Sequence, residues 1–179
     1  MLSTPPGTPT RLADARLAAA RGQAASAKPV GASPAAGRSA ATLRGAARRG
    51  LVEAAGLTRA PERYATAHLA ALRAAAAVLA ARVQPDRPGP RRSRPTSVWV
   101  LLPAIAPELE EWAAFFAAGA AKRAAAEAGL PRAVSDREAD DLLRDAEAFL
   151  AVVEVTLGLT HQPVLPGVAV PSGARGRTG

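Results

Sequence analysis

The chain has 179 residues, with 23 Lys and Arg against 15 Asp and Glu, two His, no Cys and only 3% aromatic side chains. Without cysteine it cannot build a disulfide scaffold, a Cys-ligated metal site or a thiol nucleophile, and two histidines cannot make a multi-His metal site within one chain. Alanine at 47 positions, and the lack of Val/Ile/Thr/Tyr runs, exclude an all-β fold and favour closely packed helices in a single domain.

Residues 1–40 mix Pro, Gly, Ser, Thr and Ala, with almost no large apolar side chain after Leu17. Such a segment cannot bury enough surface to offset its ordering entropy, so it is expected to be a disordered Arg/Ala/Pro-rich arm, with a transient helix around Arg11–Arg21. A first helix is expected over Ala41–Ala55, stopped by Gly56, with Leu43, Ala47, Leu51 and Ala54 at helical spacing. A second starts at Pro61 and reaches Val83, where Ala65, Leu69, Leu72, Ala76, Leu79 and Val83 form a candidate bundle seam.

Gln84–Ser97, rich in Pro and Arg, reads as a long flexible loop. Ser97–Ala106 follows as a short helix carrying Trp99, Leu102 and Ile105. A further helix begins at Pro107, places Glu108, Glu110 and Glu111 against the positive end of its dipole, and ends at Gly129. Its expected buried face is Leu109, Trp112, Ala113, Phe116 and Ala120. Ser135 and Glu138 form a capping box that opens the last helix, with Leu142, Leu143, Ala146, Phe149, Leu150, Val153 and Leu157 facing inward as far as Gly158. Residues 162–179, with three Pro and four Gly, read as a second disordered tail. The expectation is an all-α, four- to five-helix bundle over residues 41–161, flanked by tails at 1–40 and 162–179.

The longest uncharged apolar stretches, Val98–Ala106 and Trp112–Ala121, fall short of the roughly 20 residues of a membrane span. The amino-terminus lacks a basic region followed by an apolar core, so a cytoplasmic protein with no membrane partner is expected. Positive charge is uneven. Residues 1–60 hold nine basic and two acidic side chains, whereas residues 61–162 hold twelve and thirteen. The segment 82–94 alone carries five Arg against Asp86, so any nucleic-acid contact is expected from the arm and from Arg87, Arg91, Arg92 and Arg94. No aromatic residues are interleaved there as a stacking platform.

The chain has no Gly-rich phosphate loop and no nucleophile elbow. The acids Asp140, Asp141, Asp145 and Glu147 lie along a polar helix face without matching ligands elsewhere, so no metal and no cofactor are expected. One constellation remains: Glu62-Arg63-Tyr64-Ala65-Thr66-Ala67-His68. Five residues along a helix turn by about 500°, so Arg63 and His68 project roughly 140° apart. His68 lies near the expected seam and Arg63 almost opposite it. The reading from spacing alone is a buried, hydrogen-bonded His with Arg63 at the surface.

The Arg-x4-His spacing, the run Arg63–Ala74, and Val98-Trp99 followed by Pro107-Glu108-Leu109-Glu110-Glu111-Trp112 resemble the HEPN (higher eukaryotes and prokaryotes nucleotide-binding) superfamily, specifically its SAV-type actinobacterial subgroup. The resemblance covers residues 40–160. It implies a four- to five-helix bundle that dimerises and binds a nucleotide, RNA or a protein partner such as a nucleotidyltransferase. It also implies a metal-independent endoribonuclease or toxin activity in which His68 does acid–base chemistry and Arg63 stabilises phosphate charge. A third reading, outside catalysis, is a regulatory interaction module recruited through the Arg-rich arm.

Overall fold

The computed structural model describes residues 34–82 and 97–158, all of it helix and turn. Five α-helices follow in order: α1 Pro34–Gly56, α2 Ala60–Arg82, α3 Val98–Ile105, α4 Glu110–Glu127 and α5 Asp136–Thr156. A single 3-10 turn, Pro107–Leu109, leads into α4. The expected helix at Arg11–Arg21, the Arg-rich loop and the tail 162–179 lie outside the described residues.

Helix α1 begins seven residues before the expected start at Ala41. Pro34 suits a first helical position, because the amide it lacks would be unpaired there. Ala35, Ala36 and Arg38 then carry the helix in register to Ala40, which is already buried. The helix start expected at Ala41 therefore moves to Pro34: small residues that looked like tail are adequate helix formers once the next turn packs.

Helix α2 is the centre of the bundle, touching α1, α3, α4 and α5. That position overturns the expected seam. Leu69, Leu72 and Leu79 are only half-buried, while Ala67, Ala70, Ala71, Ala74, Ala75, Ala77 and Val78 are at most 1% exposed. A helix with neighbours on several sides needs small side chains toward each, so that four axes can approach; the leucines fill the shoulders between them. The contact with α1 is close enough that a methyl on Gly50 would lie 3.2 Å from the Ala70 side chain. Helix α2 is also long and apolar enough to cross a membrane by length and composition, and its apolar faces are spent on these neighbours.

The large side chains come from the other helices. Trp99, Trp112, Phe116 and Phe149 interlock with ring centres 5.2 to 6.2 Å apart. Phe116 and Phe149 are fully buried, each contributing about 2–3 kcal/mol of apolar burial. Ala120, expected in this face, is exposed instead, because α4 has rotated Phe116 and Gly119 toward α2. Ser97 caps α3 by accepting from the Trp99 amide at 3.3 Å. The Ser135–Glu138 capping box is present, and Lys122 of α4 also bonds Glu138. These bonds hold the Glu138 carboxyl down at about 2, with the Lys122 contact contributing most. Helices α4 and α5 end just before Gly129 and Gly158, both at positive φ.

At the opposite end, Arg82 pairs with Glu108 at 2.7 Å and donates to the Ile105 carbonyl at 3.3 Å. That bridge ties α2 to the α3–α4 turn across residues 83–96. Among the described residues, one continuous core joins α1 to α5. A fragment spanning residues 34–160 is expected to match the full chain in helical circular dichroism per helix residue and in melting cooperativity. A broad, non-cooperative melt of the fragment would place essential core contacts in the removed segments.

Candidate functional site

Both residues of the Arg-x4-His motif project inward from α2, and they reach different neighbours. Arg63 stands in the first turn, where α1, the α1–α2 connection and the start of α5 meet. It is 9% exposed, not on the surface as its angular position suggested. Its Nη1 donates to the carbonyls of Leu57 at 2.7 Å and Thr58 at 3.2 Å. Its Nη2 donates to Asp136 Oδ1 at 3.1 Å, and Nε faces Asp140 Oδ1 at 2.9 Å. The correction has a simple cause. The seam angle treats a helix as one-sided, whereas α2 is enclosed, so a side chain opposite α4 still meets protein.

This arrangement uses most of what a guanidinium can offer. Its planar fork donates to two carbonyls of the α1–α2 connection and to Asp136, and pairs by charge with Asp140, both acids standing in the first turns of α5. Asp136 also sits against the positive end of the α5 dipole, where an acid is favoured even without Arg63. The chemical result is a clamp joining three chain segments.

His68 lies one turn and a half further along α2 and is 1% exposed. Its Nε2 is 2.9 Å from the Phe116 carbonyl oxygen. A carbonyl only accepts, so Nε2 carries the proton and Nδ1 holds the lone pair. Nδ1 is buried with no hydrogen-bond partner. The ring stacks on Tyr64 at 6.5 Å and meets Trp99 and Phe116 edge-on at 5.9 and 5.8 Å. Burial, the largest influence, lowers the imidazole pKa below its ordinary range; the Phe116 bond opposes this, and Arg123 and Glu127 act in opposite directions. The ring is therefore a neutral donor inside an aromatic cluster. A general acid–base group needs contact with a substrate proton, and this one contacts a backbone carbonyl.

Gly119 leaves the space beside this ring. A methyl there would lie 3.0 Å from the Tyr64 hydroxyl and 3.4 Å from His68 Cδ2. Burial raises the Tyr64 pKa, with Lys122 pulling the other way. The Tyr64 phenol thus stays protonated at neutral pH.

The α5 acids divide among cations. Asp140 serves Arg63, and Asp141 bonds Arg144. No group of three potential metal ligands converges among the described residues. Arg87, Arg91, Arg92 and Arg94 lie outside the described residues. Sequence reasoning missed the partnership of Arg63 with Asp136 and Asp140; the i,i+4 spacing of the two acids was visible, but nothing local links them to α2. It also missed Arg49 and Arg73. Arg73 reaches from α2 to within 3.5 Å of the Cβ position of Gly50 on α1, and Arg49 folds back along α1 toward Gly45.

The family model described as HEPN_SAV_6107-like HEPN matches residues 54–154, from the end of α1 to the end of α5. No curated protein and no solved structure gives a significant match.

Proposed function

The chain belongs to the HEPN_SAV_6107-like HEPN family, and from that premise we propose that it is a binding module that takes up an anionic partner, RNA or a nucleotide, without cleaving it. The observation that carries this reading is the commitment of both motif residues to the fold. His68 spends its one proton on Phe116, and Arg63 spends its fork on Leu57, Thr58, Asp136 and Asp140. Neither presents a group to solvent, and the two do not converge.

Charge supports an anionic ligand. Residues 34–82 carry eight Arg against two Glu, while residues 97–158 carry five basic and eleven acidic side chains. The described body is thus neutral overall but divided, with α1 and α2 basic and the α3–α5 half acidic. Arg38, Arg44, Arg49 and Arg73 have no acidic partner among the described residues, which leaves four permanent charges on the α1–α2 side. A further ten basic residues against two acids lie in segments 1–33, 83–96 and 159–179, Arg87, Arg91, Arg92 and Arg94 among them. This excess of positive charge in the sequence suits phosphates, with little base readout.

Fluorescence anisotropy with a labelled single-stranded RNA, with a mononucleotide as competitor and EDTA present, tests the reading. Binding is expected to weaken steeply as salt rises, and Arg49→Glu with Arg73→Glu is expected to weaken it by about tenfold or more. The RNA should remain intact throughout. Cleavage in EDTA, lost in His68→Ala protein that is still folded, would overturn the reading in favour of a metal-independent endoribonuclease. Absence of any RNA or nucleotide binding would point instead to a protein partner recruited through the basic arm.

A further inference from the structure

Helices α3 and α4, joined through the turn Pro107–Leu109, leave an open groove of about 450 Å³ between them. Trp99, Val100 and Pro103 form one wall, and Ala113, Ala117 and Ala120 the other. Val100 is 67% exposed at the lip. Ser97 also lines the groove, and Glu110 is the single charged residue among the lining. Pro103 and Glu110 flank the α3–α4 turn, so one mouth of the groove opens at that end of the bundle.

Helix α5 stops at the same end. Lys122 of α4 bonds Glu138 near the start of α5, and Trp112 meets Phe149 at 5.4 Å further along, so α4 and α5 run antiparallel. Thr156, the last residue of α5, therefore lies where α4 begins. The sequence beyond it changes character. Residues 159–174 contain no Asp, Glu, Lys or Arg, and Val164, Leu165, Val168 and Val170 place four large apolar side chains in seven positions. Pro163, Pro166 and Pro171 hold φ at about −65° and favour an extended, polyproline II path.

We propose that residues 163–171, Pro-Val-Leu-Pro-Gly-Val-Ala-Val-Pro, fold back and fill the α3–α4 groove of their own chain. The inference uses a different face from the anion-binding reading and does not rest on it. Reach is sufficient. Residues 159–162 span up to ~14 Å when extended, enough to pass a helix about 10–12 Å across. The nine residues that follow span ~28 Å as polyproline II, against ~15 Å of α4 from Glu110 to Ala120. The chemistry also matches. Proline-rich segments dock in apolar grooves with an aromatic wall because they are already extended, and Pro163-Val164-Leu165-Pro166 meets Trp99 and Pro103 in that way. Glu110 stands at the mouth, where the polar residues Thr160, His161 and Gln162 pass before the apolar run enters.

No other segment outside the described residues fits as well. Residues 83–96 carry five charges, and residues 1–33 scatter Leu2, Leu12, Leu17 and Val30 along their length. Tethering completes the case: a short linker gives an effective concentration on the order of millimolar, so a groove of modest intrinsic affinity is still filled.

A disulfide trap in the full chain tests this directly, since the chain has no cysteine of its own. Ala117→Cys combined with Val168→Cys is expected to close a disulfide within one monomer under mild oxidation, read by intact mass and non-reducing electrophoresis. The control pairs Val168→Cys with Thr42→Cys, an exposed position on the part of α1 that Arg48 ties to the end of α5 through Glu154. The groove pair should close about tenfold faster or more. Adding Leu165→Asp and Val170→Asp should slow it by a similar factor with unchanged circular dichroism. Ala117 is exposed, so the fold should tolerate cysteine there; Ala120→Cys, exposed on the same wall, serves if it does not. Equal rates for the two pairs, or closure indifferent to the aspartates, would overturn the proposal. Disulfides formed only between two chains would overturn it as well, and would assign the groove to another copy.

Discussion

His68→Ala is expected to lower the free energy of unfolding by about 3 kcal/mol, mostly from the lost ring and in smaller part from the lost hydrogen bond to the Phe116 carbonyl. The ring touches Tyr64, Trp99 and Phe116, so its removal opens a cavity among rigid aromatics that cannot easily collapse. The Phe116 carbonyl would also lose the imidazole as a donor. His68→Gln should recover part of the loss only if its amide reaches that carbonyl. Urea denaturation followed by tryptophan fluorescence gives the measurement, since Trp99 borders the ring. A loss below about 0.5 kcal/mol would mean that the ring is not structural, as for an ordinary surface substitution.

The same histidine sets a pH dependence. Its folded pKa is lowered by burial, so between that value and the unfolded value near 6.5 the unfolded chain binds the extra proton. Stability is therefore complete above about pH 6.5 and declines as pH falls through the folded pKa. Glu138 acts lower down: its folded pKa of about 2, against an ordinary 4.5, makes its contribution full above 4.5 and lost on further acidification. Denaturation midpoints from pH 7.5 to 5 should fall for the wild type and stay nearly flat for His68→Gln. Parallel slopes in the two proteins would assign the acid sensitivity elsewhere.

Much of this was readable from local signals. The capping box at Ser135, the Pro and Gly punctuation, and the aromatic positions of α4 and α5 each act within a few residues, and the structure places them as expected. The misread seam and the misplaced Arg63 have one origin. The leucine stripe of α2 looked like a seam because large apolar residues normally mark the buried side of a two-sided helix. Here α2 is surrounded, and alanine, which marks neither side in a sequence, fills the contacts. That also hid Arg63, whose partners Asp136 and Asp140 lie more than 70 residues away along the chain. The start of α1 was missed because Pro34 and its small neighbours carry no amphipathic pattern.

Arg63→Ala is expected to cost about 2–3 kcal/mol of stability, where a surface position would have cost almost nothing. The loss comes mainly from the carbonyl side. Leu57 and Thr58 oxygens lie in the short α1–α2 connection, outside either helix's ladder, and Nη1 of the guanidinium donates to both. The acid side costs less, because Asp136 and Asp140 side chains are 81% and 50% exposed and water can take over. Arg63→Lys should therefore recover little, since an ammonium cannot span two carbonyls and two carboxylates in one plane. Asp136→Asn with Asp140→Asn should cost clearly less than Arg63→Ala. That ordering separates the clamp from a phosphate-binding role, in which Arg63→Ala would leave the denaturation midpoint unchanged and weaken RNA binding instead. Equal midpoints for wild type and Arg63→Ala would show that the guanidinium is not holding α1, α2 and α5 together.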